Sequence, residues 1–364
     1  MVKLVRRKKE PLPSVVEEEV KEAKLESVDP DHLIPTGATL LNCACSDTPF
    51  GGYRKGKLVN LIGDSSSGKT LLGLTTFAEM SLHGKFDDYR FIFDDVEAAL
   101  EFNLDYIFDR DISDRIEMGL ASSTIESFQA NIMNVIKEGK PFVYVLDSFD
   151  ALTSEAEEKR IKTAISPKKK KSFDDDEDTP TKGSWKTEKA KIVGEILRSI
   201  CRDLKKVEGL LIIISQTRDD ITAKFKKKTR TGGHALKFYS CHEMWLAIIP
   251  PPYKKKNIEI GIDVRAKVTK NKLTGKVRTV SFPIFNDYGV DDIRANVEFL
   301  VEENIWKQEK QTILADEFNI KGTIETVCKA IEAQRLEREV QSMVGGVWEA
   351  IQEDLKLGRR KKYE

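Results

Sequence analysis

Residues 58–72, LVNLIGDSSSGKTLL, constrain this chain more than any other stretch. They read as an apolar strand, a glycine-bounded loop and the first turn of a helix. Gly63, Asp64, Ser65, Ser66, Ser67, Gly68, Lys69 and Thr70 fit G-x-x-x-x-G-K-[ST] at each fixed position, and Leu71 continues the helix. The pattern is a phosphate cradle. Glycines let the backbone curl so that its N–H groups point inward, and the helix N-terminus adds partial positive charge. Lys69 can reach the β- and γ-phosphates of a nucleotide, and the Thr70 hydroxyl can ligate Mg²⁺. A polyphosphate with Mg²⁺ is the expected ligand pair.

The rest of the chain alternates around this loop. Leu71 to Leu82 has a helical pattern, and Arg90 to Phe93 reads as a second strand ending in acidic residues. A carboxylate at that strand end is placed to polarise an attacking water, with Glu97 and either Asp94 or Asp95 as candidates. Residues 123–138 read as a helix. PFVYVLDSFDAL is then a buried strand closing on Asp147, an acid suited to hold Mg²⁺ directly or through water. Residues 186–207 are helical in pattern, and GLLIIISQTRDD is a further buried strand ending at Ser215 and Gln216. The Gln216 amide can contact a γ-phosphate, or it can simply cap its strand. Strands are expected at 241–249 and 258–270, with a hairpin turning at Leu273 to Lys276. From about Val290 onward the chain reads as helical and charged. The expected fold is α/β: a mostly parallel sheet flanked by helices, a β-hairpin edge and a small C-terminal helical region.

Composition sets limits. The 60 Lys+Arg balance the 60 Asp+Glu, so any basic surface must be local. One such stretch is 217–231, TRDDITAKFKKKTRT, whose lysines and arginines interleave with Ile221 and Phe225. It reads equally as a single-strand binder and as a plain basic loop. Residues 154–190 carry Lys168 to Lys171 followed by Asp174 to Asp178, and are expected to be a mobile loop. Residues 1–34 look like a peripheral arm. The five cysteines have no framework spacing and suit a reducing cytosol. No apolar run is long enough to span a membrane, so no membrane partner is expected.

The motifs line up, in order, with one family. The chain resembles the RecA-type recombinases over roughly residues 34–300. The most specific stretch is Thr231 to Tyr239, TGGHALKFY, very similar to the family's TGGNALKFY, with His234 in place of Asn. TGATLLN, GGYRKGKLVNLIG and VTKNK also look like family segments. The resemblance implies a P-loop ATPase core at 35–290, a possible polymerisation segment at 1–34 and a C-terminal region at 291–364. It implies that Glu97 activates water, that Asp147 and Thr70 hold Mg²⁺, and that Gln216 senses the γ-phosphate. DNA loops would lie at about 154–186 and 217–231. Their contacts would come from Arg218, Lys224, Phe225, Lys226, Lys227, Lys228 and Arg230, joined by Gly232 and Gly233 at a helix start. Lys191 and Arg198 fall where the family has basic residues facing DNA. Lys270 and Lys272 match lysines that reach a neighbouring subunit's ATP, with Phe238 packed at that interface. The family's adenine-stacking aromatic has no direct match; the corresponding place reads Glu101-Phe102-Asn103-Leu104, with Phe102 as the available substitute.

The resemblance implies a cytoplasmic DNA-dependent ATPase that assembles on single-stranded DNA, as a filament rather than a ring, and pairs it with homologous duplex. A mediator that binds ATP without exchanging strands is the alternative, and a ring-forming helicase motor a weaker one.

Overall fold

The computed structural model describes residues 29–119, 121–165, 184–219, 228–230, 233–360 and 362–363. Its strands and helices run in this order: β1 (Leu33–Ile34), α1 (Thr39–Ser46), β2 (Tyr53–Arg54), β3 (Lys57–Gly63), α2 (Lys69–Ser81), β4 (Arg90–Asp95), α3 (Leu104–Phe108), β5 (Ile116–Glu117), α4 (Ile125–Lys137), β6 (Phe142–Asp147), α5 (Glu155–Ile165), α6 (Ser184–Leu204), β7 (Leu210–Asp219), β8 (Lys228–Arg230) and α7 (Gly233–Tyr239). The chain continues through β9 (His242–Lys255), β10 (Ile258–Asn271), β11 (Arg278–Phe285), β12 (Gly289–Val290), α8 (Asp292–Glu302), β13 (Lys307–Glu309), β14 (Thr312–Ala315), β15 (Ile320–Gly322), α9 (Ile324–Gln334) and α10 (Glu337–Asp354).

The large sheet has the order β12-β11-β10-β9-β3-β7-β6-β4-β5. From β9 through β5 neighbouring strands are parallel. From β9 through β12 they are antiparallel. Parallel strands need crossovers, and the crossovers put helices on the faces. The side-chain alternation shows both faces buried. Val59, Leu61, Phe91, Phe93 and Val145 pack in one apolar cluster with α2 and the C-terminal helices. Leu58, Ile92, Tyr144, Leu146 and Ile213 pack in the other with α4 and α6. The short spacing of apolar residues in each strand is thus read twice, once per face.

The fold class is the expected one, with additions. β9 runs beyond 249 through Pro250, Pro251 and Pro252, and forms a long hairpin with β10. Proline argues against a strand interior. Here the three prolines fall where the register slips, between the Asp263↔Ile249 and Gly261↔Tyr253 pairs, so no ladder donor is missed. The C-terminal region is helical and also carries a three-stranded sheet, β13-β14-β15. Its strands are only three or four residues long, too short for a periodic signal. Trp306 anchors this region: it is 1% exposed and its indole N–H donates to Glu317 at 3.0 Å. Residues 155–165 form a helix where a loop was expected, and residues 217–219 and 228–230 of the basic stretch pair as parts of β7 and β8. The Lys168–Lys171 and Asp174–Asp178 blocks lie outside the described residues, as do residues 1–28. Leu33 and Ile34, expected in the arm, are buried and pair with β2. Among the described residues no helix is long and apolar enough to cross a membrane.

One buried contact ties the C-terminal region to the core. The Asp292 carboxylate accepts the Thr39 N–H at 2.6 Å, the Thr39 hydroxyl at 2.7 Å and the Asn296 amide at 3.0 Å. Burial nevertheless pushes its pKa up to about 6. The folded state therefore holds a proton that the unfolded state releases near the ordinary carboxylate value. This group's contribution is fully present below that value and is lost as pH rises through about 6. Asp292→Asn should remove it. Urea midpoints of wild type and variant, compared between pH 7 and pH 4, should show the wild type gaining on the variant as the solution is acidified (pH range ~4–7).

Candidate active site

β3 delivers the chain to Gly63, where no side chain fits. A Cβ there would lie 2.4 Å from the Ser67 hydroxyl and 2.8 Å from the Leu246 carbonyl oxygen. Gly68 caps α2 with φ +82°, and a Cβ there would meet Ile284 at 2.5 Å. The two fixed glycines of the motif thus answer to the neighbouring strands β9 and β11, as well as to the turn itself. Lys69 is buried, and its ammonium donates to the Asp64 carbonyl at 2.6 Å. Burial pulls its pKa down, opposed by the carboxylates of Asp147, Asp64, Glu97 and Asp150. Four acids around one ammonium leave the site short of positive charge.

The strand register assembles the other groups. β3 and β7 pair so that Gly63 lies beside Gln216. β6 pairs with β7, and β4 with β6, where Asp95 lies beside Asp147. All four strands point the same way, so their carboxyl ends share one edge, where ligands of open α/β sheets bind. The Thr70 hydroxyl donates to Asp147 at 2.5 Å. Burial raises the Asp147 pKa to about 6, with Glu97 and Asp95 adding to the rise. A hydroxyl and a carboxylate side by side are hard oxygen donors that fit Mg²⁺, which keeps several waters and takes one or two carboxylates plus substrate phosphates. No group of three or more His, Cys, Asp or Glu able to hold a metal occurs among the described residues.

Of the three candidate acids on β4 and its turn, two have local partners. Asp94 is fully buried and accepts from the Ser122 N–H at 2.9 Å, the Ser122 hydroxyl at 2.5 Å and the Tyr144 hydroxyl at 2.5 Å. Asp95 accepts the Leu100 N–H at 2.9 Å, closing its own turn. Glu97 is exposed and faces the other strands: it accepts from the Ser148 hydroxyl and, at 3.0 Å, from the Gln216 amide. The Gln216 backbone N–H donates to Asp150 at 2.7 Å.

A cavity of about 570 Å³ opens over the phosphate loop, lined by Ser66 to Leu71 and by Phe102, Ile248, Phe285 and Asn286. Phe102 and Phe285 give it two aromatic walls. Ile248, Phe285 and Asn286 carry no motif in the sequence and arrive only through the packing of β9 to β11 against β3.

Lys270 and Lys272 lie at the other end of the sheet. Lys270 pairs with Glu243, which lies beside Asn60, three residues before Gly63. Both ammonium groups donate to the carbonyl of Phe238 at the end of α7, at 2.9 and 2.8 Å, and Lys270 also reaches the Lys237 carbonyl. Burial and the charge of Lys272 pull the Lys270 pKa down to about 8. Phe238 is 68% exposed beneath Lys272. Lys191 and Arg198 are exposed on one face of α6, two helical turns apart. The Arg198 guanidinium donates to the Tyr239 hydroxyl at 3.1 Å. Arg218, Lys228 and Arg230 sit on the β7–β8 pair, and Gly233 opens α7. Lys224, Phe225, Lys226, Lys227 and Gly232 lie outside the described residues.

With this geometry in hand, comparison with known proteins is specific. The family described as RecA N-terminal domain matches residues 20–291. Protein RecA of Ehrlichia ruminantium (strain Gardel) is 29% identical over 289 residues, 79% of this chain and 71% of that protein. Protein RecA of Chlamydia muridarum is 28% identical over 277 residues, 75% and 69% of the two chains. Protein RecA of Brucella anthropi is 30% identical over 275 residues, 75% and 68%.

The Thr70–Asp147 pair yields a direct test. Asp147→Asn should weaken binding of a fluorescent ATP analogue at saturating Mg²⁺ by about tenfold or more. Without Mg²⁺, the variant should bind the analogue at least as well as the wild type, because a carboxylate that repels the phosphates is gone.

Proposed function

Because this chain belongs to the RecA family, we propose that it is an ATP-dependent DNA recombinase, which assembles on single-stranded DNA and pairs it with homologous duplex in the cytoplasm of a bacterial or phage-infected cell. One observation carries the reading. The Gln216 side chain touches Glu97 beside the phosphate loop, while its strand continues into the basic β7–β8 pair. Nucleotide chemistry and a nucleic-acid segment are joined within one strand.

In this reading Lys69 leaves the Asp64 carbonyl for the β- and γ-phosphates of ATP. Thr70 and Asp147 would hold Mg²⁺, which would supply positive charge against the phosphates. Glu97 accepts a proton from the attacking water, and Gln216 reports the γ-phosphate to the strand beyond it. Phe102 and Phe285 flank the adenine. Lys270 and Lys272, remote from the phosphate loop of their own chain, serve the ATP of an adjacent copy. Charge supplied in trans stabilises the transition state and makes turnover depend on assembly. Lys191, Arg198 and the basic residues of 217–231 contact the DNA backbone, and Gly233 presents its helix start to a phosphate.

A second reading, an ATP-binding recombination mediator without strand exchange, draws on the two lysines being held by carbonyls of their own α7. A strand-exchange assay separates the two, since a mediator acts only on a partner's reaction.

ATP hydrolysis should rise on adding single-stranded DNA, and the rise should fade as salt increases, because phosphate contacts release counterions. Lys69→Ala should abolish hydrolysis. Lys270→Ala should keep nucleotide binding and lose the DNA-stimulated turnover; normal stimulation in that variant would refute the trans role.

A further inference from the structure

The phosphate loop and the strand leading to the basic segment share a second contact that the roles above leave unused. β3 and β7 separate after the Gly63↔Gln216 pair, so Asp64 and Thr217 are the first residues beyond the ladder on each strand. Across that gap the Thr217 hydroxyl donates to the Asp64 carboxylate. Thr217 is also the first residue of the β7–β8 pairing, where it lies opposite Arg230. On its backbone side Asp64 is equally engaged. Its carbonyl accepts the Ser67 N–H at 3.3 Å, the Ser67 hydroxyl at 2.8 Å and the Lys69 ammonium at 2.6 Å.

Three donors on one carbonyl exceed its two lone pairs. Two of the three belong to Ser67 and close the loop turn. Lys69 is the donor on a long, flexible stem, and it is drawn away when a polyphosphate arrives. The same arrival brings several negative charges up to a loop that carries a carboxylate at its second position. That carboxylate is repelled, and its bond to the Thr217 hydroxyl passes the displacement to β7. Asp64 therefore responds to nucleotide at both its ends, and its carboxylate is bonded to the strand carrying the basic segment.

We propose that Thr217 and Asp64 are a positioning pair that couples occupancy of the phosphate loop to the setting of the β7–β8 strands, in parallel with the Gln216–Glu97 contact. The coupling works in both directions: DNA that fixes the β7–β8 pair also biases Asp64, and with it the release of Lys69. The proposal rests on the reading that this segment binds single-stranded DNA. The motif itself does not require the pair, since position 64 is one of its free positions and Thr217 lies outside it.

The test measures the ratio of DNA affinities with and without nucleotide. Anisotropy of a fluorescein-labelled oligo-dT is titrated with the full chain, with and without a non-hydrolysable ATP analogue and Mg²⁺. The wild type should bind at least about fivefold more tightly with the analogue. Thr217→Val, isosteric but unable to donate, should bring that ratio most of the way to unity at saturating analogue. Thr217→Ser should restore it. Asp64→Ala breaks the same bond from the other side, and the double variant should lose no more coupling than either single one. The ratio cancels any direct loss of DNA contact, so a merely structural role for Thr217 would leave it unchanged. A wild-type ratio retained in both Thr217→Val and Asp64→Ala would overturn the coupling alone. A wild type that binds DNA equally with and without the analogue would overturn the coupling together with the reading beneath it.

Discussion

The structure depends on the parallel pairing of β3 between β7 and β9. Every group brought to the phosphate loop reaches it through that register. β7 supplies Gln216 and Thr217, and β6 and β4 follow with Asp147 and Glu97 from the same edge. β9 comes alongside from the other flank and brings β10 and β11, whose residues close the cavity over the loop. Hydrogen bonding of a parallel ladder is evenly spaced, so a slip of one residue would turn each of these side chains to the opposite face. Both faces are packed, so a slip would force each side chain into a space shaped by another. The site's geometry is therefore held by the hydrophobic core as much as by its own contacts.

Electrostatics give the site a direction. Asp147, Asp64, Glu97 and Asp150 all act on Lys69, and burial disfavours charge on Lys69 and Asp147 alike. Such an arrangement favours a ligand that brings its own cation. A magnesium-bound polyphosphate meets both needs: the metal restores the carboxylate's charge, and the phosphates engage the lysine. The opposite end of the sheet differs. Lys270 and Lys272 cap the C-terminus of α7, where the helix dipole favours cations, and an exposed Phe238 sits beneath them. A charged and an apolar group presented together, away from their own nucleotide, suit a surface on which another copy completes the chemistry.

Much of the candidate site was legible in the sequence because its residues follow strand ends. Asp147 closes a run of buried apolar residues, and Gln216 closes another. The eight-residue loop carries its own signature. The acid on β4 was legible only as a group of three. Choosing among Asp94, Asp95 and Glu97 needed their partners: Ser122 and Tyr144 engage the first, a local turn holds the second, and the third faces β7. The helix at 155–165 and the three short strands after α8 were missed for different reasons. The helix lies in a charged stretch with little apolar periodicity, and the strands are shorter than any window that reveals a period of two.

By itself, the sequence determined the chemistry of the phosphate cradle, the α/β class and the order of the long core strands along the chain. These depend on local patterns: glycine where φ is positive, a lysine at a helix start, apolar runs closing on polar residues. Only the tertiary structure decided which distant segments meet. It placed Phe285 and Asn286 over the loop, joined Asp64 to Thr217, and set Lys270 and Lys272 at the end of the sheet away from their own phosphates. Those outcomes depend on strand order and register across the sheet, which pairs residues far apart in the chain. No local pattern carries that information, because the energy that selects one register comes from burying both faces at once.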